Sequence, residues 1–152
     1  RLWATGHELG VLPEVLTVWR DHPKRMTRTD WRFDDGALRA VRHRYLVEGP
    51  LSGGRRARIW GAGKMGKRHA RDLLALGADI DDVIDIDPRK IGGRVGGTGK
   101  GGVLPVVGPD AVGEPDGRLV LLAVGSLGAR GQIEAFLTER GHERERDYLP
   151  LQ

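Results

Sequence analysis

The sequence predicts an α/β fold: a Rossmann-like, doubly wound, mostly parallel sheet of about five strands, preceded by a small α+β remnant of another domain. Residues 58–60 read as a short buried strand, and the glycine-rich residues 61–66 follow at once. Helical periodicity at residues 64–76 leads to a second apolar strand at residues 83–87, which carries acids at its end. This order of strand, GxGxxG, helix, strand and acid is the dinucleotide-binding fingerprint in its structural context.

The residues of the glycine run have distinct expected roles. Gly61 permits a tight turn out of the strand, Gly63 leaves room for a phosphate to approach the backbone, and Gly66 lets the helix pack closely. The helix N-terminus offers N–H groups and a partial positive charge, which suit a pyrophosphate. The predicted cofactor-binding turn therefore consists of Gly61, Ala62, Gly63, Lys64, Met65 and Gly66.

Two further segments are expected to complete this site. Asp85 and Asp87 lie a few places beyond the offset of roughly 20 residues at which an acid meets a ribose, and Asp87, at the predicted strand tip, is preferred. The apolar strand at residues 118–124 ends beside the glycine turn in a doubly wound sheet. Gly125 and Ser126, which follow that strand, are therefore predicted to line the same crevice.

The segment before the fingerprint is expected to form a separate unit. Residues 11–13 and 15–19 are β-prone, after a helix end in residues 1–8. Asp34 or Asp35 is a suitable N-cap for a helix over residues 36–47. The predicted inward face of that helix carries Leu38, Val41, Tyr45 and Leu46. Residues 51–56 read as a linker, so residues 1–50 form one unit and residues 57–152 another.

The remaining elements follow the same logic. The inward face of the helix at residues 64–76 is predicted to carry Met65, Ala70, Leu73 and Leu74. Residues 92–102 are predicted to be a mobile surface loop, because the P-loop pattern fails at Arg94 and Gly101. Residues 103–107 and 148–151 read as strands. A helix over residues 129–140 is predicted to bury Ile133, Phe136 and Leu137.

Composition excludes several classes of function. The 152 residues contain no cysteine, which excludes disulfides and thiolate zinc sites. The net charge is +4, but the basic residues alternate with acids, so no nucleic-acid partner is predicted. No apolar run has the length of about 18 residues that a membrane helix needs, and no signal-peptide pattern opens the chain, so a cytoplasmic protein is expected. The dispersed histidines predict no metal site, and no catalytic residues are predicted.

One resemblance rests on residues 61–70. This run resembles the start of the Gfo/Idh/MocA sugar dehydrogenases, which implies NAD(P) as cofactor. Arg89 and Lys90, beside Asp87, leave NADP open as the preferred form. The chain departs from that family after the strand at residues 118–124, where Gly125-Ser126 replaces a Thr-Pro-like turn, and no Glu-Lys-Pro segment follows.

A second resemblance covers more of the chain. Residues 12–16 and 19–27 resemble the end of a bacterial family-2 glycosyltransferase catalytic domain, and residues 85–92 match the Asp-x-Asp-Pro-x-Lys-Ile-Gly pattern of a C-terminal Rossmann-like domain in some members. The resemblance implies a transferase that moves a sugar from a nucleotide-sugar, with its catalytic groups and divalent metal in an upstream domain. It also implies that Arg20 and His22 face the donor diphosphate or its metal.

The sequence pattern and the two resemblances therefore predict three alternative functions. The first is an accessory domain, non-catalytic alone, that binds a nucleotide or nucleotide-sugar and partners an upstream catalytic domain. The chain opens on Arg1 without a methionine, which agrees with a piece of a longer protein. The second is an NAD(P)-binding oxidoreductase domain. The third is an interaction module whose glycine turn is blocked, for instance by Trp60 or Met65, and homo-oligomerisation is left open.

Overall fold

The computed structural model describes residues 10, 14–18, 22–96 and 102–151 of the chain. It contains six strands: β1 (Ala57–Trp60), β2 (Ile80–Ile84), β3 (Arg94–Gly96), β4 (Val103–Val107), β5 (Leu119–Leu122) and β6 (Tyr148–Pro150). They form one sheet in the order β3-β4-β2-β1-β5-β6, in which only the β3–β4 pair is antiparallel. The predicted α/β class with a mostly parallel sheet is confirmed.

The described residues contain four α-helices: α1 (Met26–Thr29), α2 (Asp35–Glu48), α3 (Lys64–Ala75) and α4 (Leu127–Glu139). The Asp34 side chain accepts a hydrogen bond from the Ala37 N–H at 2.6 Å and caps α2 as predicted. Gly77 and Gly141 follow α3 and α4 with positive φ, the conformation that ends many helices. None of the helices described here has the length and apolarity needed to cross a membrane.

Helices cover both faces of the sheet, because alternate strand residues point to opposite sides. On one face, Ile59 and Leu121 belong to a core cluster with Leu73 of α3 and Leu46 of α2. On the other face, Leu122 packs in a cluster with Leu137 of α4. The division of the chain at residues 51–56 stays a prediction, although α2 and Leu51 contribute to the core of the sheet.

The segment before α2 departs from its prediction. Residues 15–18 form no strand, and Val15, Leu16 and Val18 are exposed. Apolar, β-prone residues need a neighbouring strand for their backbone hydrogen bonds, and the described residues provide none there. The predicted elements at residues 1–8 and 11–13, and residue 19, lie outside the described residues.

The inward face predicted for α2 is correct at Leu46 and wrong at its other three residues. Leu38, Val41 and Tyr45 are exposed, whereas His43 and Leu46 are buried. The helix turns a polar strip toward α3, with His43 against His69 and Arg39 bound to Asp72. These paired polar groups fix the rotation of the helix, so its apolar periodicity does not.

Three smaller corrections concern the other elements. Residues 94–96 of the predicted loop form β3, which pairs with β4 and buries Val95, and residues 97–101 lie outside the description. Met65 is 36% exposed and does not point inward. The second strand spans residues 80–84 and not 83–87, because the side chains of Asp85 and Asp87 accept hydrogen bonds from the Asp87 and Arg89 N–H groups and turn the chain.

Candidate functional site

The glycine turn leaves the end of β1 and enters α3 directly. Gly61 has a φ of +118°, a conformation that strongly favours glycine. A Cβ at this position would lie 3.2 Å from Val124 Cγ2 and 3.3 Å from the Ala123 carbonyl oxygen. The first glycine of the motif therefore makes the tight turn that the sequence predicts.

The other two glycines have opposite surroundings. A Cβ on Gly66 would lie 1.6 Å from the carbonyl oxygen of Gly61, so any larger residue would push α3 away from the turn. Gly63 is exposed, and no described heavy atom lies within 4 Å of the place where its Cβ would be. Gly66 thus sets the close packing of the helix, and Gly63 leaves the backbone open to a ligand.

The position of the turn in the sheet is the one at which α/β proteins bind ligands. β1 lies between β2 and β5, so the strand order reverses direction at β1, and the turn lies at the carboxyl end of β1. Gly125 and Ser126 follow β5 at the same edge of the sheet and are exposed. The close approach between Gly61 and Ala123 brings these two segments together.

Asp85 lies beneath the turn and is 6% exposed. Its Oδ2 accepts hydrogen bonds from the Ala62 N–H at 2.7 Å and from Lys90 Nζ at 3.0 Å, and its Oδ1 accepts one from the Asp87 N–H at 2.9 Å. Burial would raise the pKa of Asp85, but the hydrogen bonds from Asp87, Lys90 and Ala62 outweigh it and lower the pKa. Asp85 is therefore an ionised carboxylate that stabilises the turn through its hydrogen bonds.

Asp87 lies nearer to solvent and pairs with a different cation. Its Oδ1 and Oδ2 accept hydrogen bonds from Arg89 Nε at 3.1 Å and Nη2 at 3.2 Å. The Arg89 side chain lowers the pKa of Asp87, so this carboxylate is also ionised at neutral pH. A ribose hydroxyl bound by Asp87 would share the carboxylate with Arg89.

The entrance to the turn favours an anion. The first N–H groups of any α-helix lack a helical acceptor, and Gly63, the N-cap of α3, has no side chain that could accept from them. Lys64 and Lys67 are exposed on the same helix end. Partial positive charge from the helix and full charge from these lysines combine there.

Neither residue named in the blocked-turn hypothesis closes the site. Trp60 is buried on the opposite side, where its ring meets Phe136 edge to face with centroids 5.3 Å apart. Met65 lies on the surface toward α2. No described heavy atom lies within 4 Å of the place of a Gly63 Cβ, so neither side chain covers the backbone there, and the interaction-module alternative stays a prediction.

The donor-diphosphate candidates lie in the segment before α1. Arg20 lies outside the described residues. His22 is exposed, and its Nδ1 accepts a hydrogen bond from the Lys24 N–H at 2.9 Å. The role that the transferase resemblance implies for these two residues stays a prediction.

Sequence reasoning missed the polar contact between α2 and α3. His43 Nε2 lies 2.7 Å from His69 Nδ1, both side chains are 1% exposed, and Arg39 Nε donates to Asp72 Oδ2 at 2.9 Å. Burial, together with His43 and the nearby arginines, lowers the pKa of His69 to about 4. The available signal was the helical spacing of Arg39 and His43 on one helix and of His69 and Asp72 on the other.

The comparisons with known proteins assign the chain to no family. No protein-family model matches it, and no curated protein is significantly similar to it. Within the part of the chain that the structure describes, no cluster of three or more His, Cys, Asp or Glu residues is placed to hold a metal ion. The glycine turn is therefore the candidate functional site.

Proposed function

We propose that residues 57–152 form an accessory nucleotide-binding domain of a family-2 glycosyltransferase, with a nucleotide-sugar as the ligand class. The observation that carries the proposal is the glycine turn, with open space over Gly63 and a tight helix contact at Gly66. The diphosphate would bind the N–H groups at the start of α3, close to Lys64. The parent enzyme rests on the resemblance of the Asp-x-Asp-Pro-x-Lys-Ile-Gly pattern and of residues 12–27.

Calorimetric titration of the chain with UDP-glucose, dTDP-glucose, NADH and NADPH tests the ligand class. We expect saturable binding of at least one nucleotide-sugar, because the open backbone at Gly63 and the N–H groups at the start of α3 suit a diphosphate. A Gly63→Val variant should weaken that binding at least about tenfold, since a side chain would occupy the path of the phosphate.

Gly131→Val is the matched control, because Gly131 lies in α4 and a Cβ there also meets no described atom within 4 Å. This variant should bind as the wild type does. Absence of binding to every ligand tested, or equal losses in the two variants, would contradict the proposal.

An NAD(P)-binding domain is the second candidate, favoured by the acids and cations that follow β2. Arg89 is exposed beside Asp87 and is able to meet a 2′-phosphate. In the same titration this candidate requires tight binding of NADPH or NADH and none of the nucleotide-sugars. Arg89→Gln should then reduce NADPH affinity more than NADH affinity.

The parent enzyme is tested by a different observation. The coding sequence upstream of Arg1 should encode an apolar strand that ends in Asp-x-Asp, the metal-binding feature expected of the catalytic domain. An upstream sequence without this feature would remove the transferase assignment and leave the nucleotide-binding proposal to stand alone.

A further inference from the structure

A groove of about 320 Å³ lies between α2 and α3. Among the described residues its walls carry three arginines: Arg39 and Arg42 from α2, and Arg68 from α3. Its volume is at the lower end of the range for small-molecule sites, about 300–1,000 Å³. The groove is thus large enough for a small ligand, and its described lining holds three arginines and one acid.

Contacts with neighbouring groups hold two of the arginines in place. Arg39 donates from Nε to Asp72 Oδ2 at 2.9 Å, and Arg42 donates from Nη1 to the Leu151 carbonyl oxygen. Each guanidinium has five N–H donors, so both retain donors for a ligand. Asp35 is the acid in the described lining, and together with Asp72 it leaves the three guanidiniums in excess.

His69 borders the same groove and is a reporter of its occupancy. It is 1% exposed, and its buried Nε2 has no hydrogen-bond partner among the described residues. A charged group bound in the groove should therefore change the electrostatic surroundings of this imidazole.

We propose that this groove binds the phosphate group of a small molecule. Arg39, Arg42 and Arg68 donate charge-assisted hydrogen bonds to the phosphate oxygens, and the buried His69 ring borders the site. Guanidinium groups match phosphate geometry through paired parallel N–H donors. A phosphate group presents more acceptor oxygens to the three guanidiniums than a carboxylate does.

The remaining walls of the groove are a buried imidazole and two apolar side chains. His69 Nδ1 lies 2.7 Å from His43 Nε2, within hydrogen-bond distance, and this contact fixes the His69 ring against α2. Leu38 and Met65 add apolar wall to the groove for the remainder of the ligand.

Proton–nitrogen NMR of the His69 imidazole tests the proposal on the whole chain. Inorganic phosphate is titrated at constant ionic strength, with chloride as the replaced anion. We expect a saturable shift of the His69 Nε2 resonance. Arg68→Gln should weaken phosphate binding about tenfold, the effect of losing one charge-assisted contact worth about 1.4 kcal/mol.

Two further variants separate this site from general electrostatics and from the glycine turn. Arg44→Gln removes the same charge from α2, but the Arg44 side chain is 74% exposed and pairs with Glu48 outside the groove lining, so binding should change less than about twofold. Gly63→Val alters the glycine turn and should leave the His69 shift intact, even if nucleotide binding is lost.

Three results would overturn the proposal. The first is a His69 resonance that does not respond to phosphate. The second is equal loss of affinity in Arg68→Gln and Arg44→Gln. The third is loss of the His69 response in Gly63→Val, which would assign the phosphate to the turn.

Arg68→Lys is a second variant for the case in which Arg68→Gln does not fold. It keeps the charge but removes the paired donors, so it should still weaken phosphate binding, and unchanged binding would contradict the groove site.

Discussion

At the scale of single residues, Asp85 links the nucleotide fingerprint to the stability of the fold. Its carboxylate accepts hydrogen bonds from two backbone N–H groups and from Lys90, and so fixes the turn that presents Gly63. Asp87 makes its contacts with Arg89 nearer to solvent. The two acids were both candidates in the sequence pattern, with Asp87 preferred, and they differ in role: Asp85 stabilises the turn, and Asp87 stays accessible to a ligand.

Asp85→Ala is expected to lower the free energy of unfolding at pH 7 by roughly 2 kcal/mol, because it leaves buried N–H groups and Lys90 without their acceptor. The control Asp110→Ala removes an exposed acid and should change stability by less than about 0.5 kcal/mol. Since the folded pKa of Asp85 is lowered, the stabilisation is present above its unfolded pKa and declines as the pH falls below about 4. Urea unfolding at pH 7 and pH 3 measures both effects, and equal stability of the two variants at pH 7 would contradict the stabilising role of Asp85.

His69 gives a second pH dependence at higher pH. Its pKa falls from 6.5 to about 4 on folding, so the unfolded chain binds the proton between these values and the folded chain does not. Stability is therefore full above pH 6.5 and declines as the pH falls toward 4, by about 3 kcal/mol in total. His43, whose pKa burial also lowers, adds to the same trend.

Urea unfolding at pH 7.5 and pH 4.5 measures this dependence. His69→Gln should reduce the difference in stability between the two pH values, while His22→Gln, at an exposed position, should retain it. A difference that is the same in both variants would show that His69 is not its source.

At the scale of secondary-structure elements, the central strands β1 and β2 share a buried ion pair, although most of their other residues are apolar. Arg58 of β1 and Asp82 of β2 are partners in register, and both are buried. Arg58 donates from Nε and Nη2 to the two carboxylate oxygens at 2.8 and 2.9 Å, and from Nη1 to the Ala111 carbonyl at 2.8 Å. This paired geometry satisfies the charges that burial would otherwise penalise.

Arg58→Met is expected to lower the free energy of unfolding by about 3–5 kcal/mol, because Asp82 is left as a buried, unpaired charge. Replacing both partners, as in Arg58→Met with Asp82→Leu, should restore much of the loss. Denaturant unfolding of the two single variants and the double variant forms the cycle that isolates the interaction. Strictly additive losses in that cycle would contradict a coupled pair.

At the scale of the whole molecule, the parallel sheet was predictable because its strands are short apolar runs bounded by glycines and separated by helical periodicity. The edge strand β3 was not, since Val95 is a single buried residue within a glycine-rich segment and depends on β4 for its pairing. The rotation of α2 was also hidden, because His43 and Arg39 find their partners on an element distant in sequence. The glycine turn was predictable in geometry, while its ligand depends on atoms that a pattern of glycines does not specify.

The last prediction concerns whether α2 belongs to the unit that contains the sheet. Leu46 and Leu51 are buried in the core cluster on the α3 face, and α2 supplies the partners of His69 and Asp72. A chain of residues 34–152 should therefore unfold at nearly the same urea concentration as the full chain.

A chain of residues 56–152 should have a free energy of unfolding roughly 3–6 kcal/mol lower than the full chain, the amount expected from the burial of two leucines. Since small domains are stable by about 5–15 kcal/mol, the shorter chain should be at the margin of folding. Hydrogen exchange should show loss of protection on the α3 face first, whereas equal stability of the two truncated chains would place the boundary at residues 51–56.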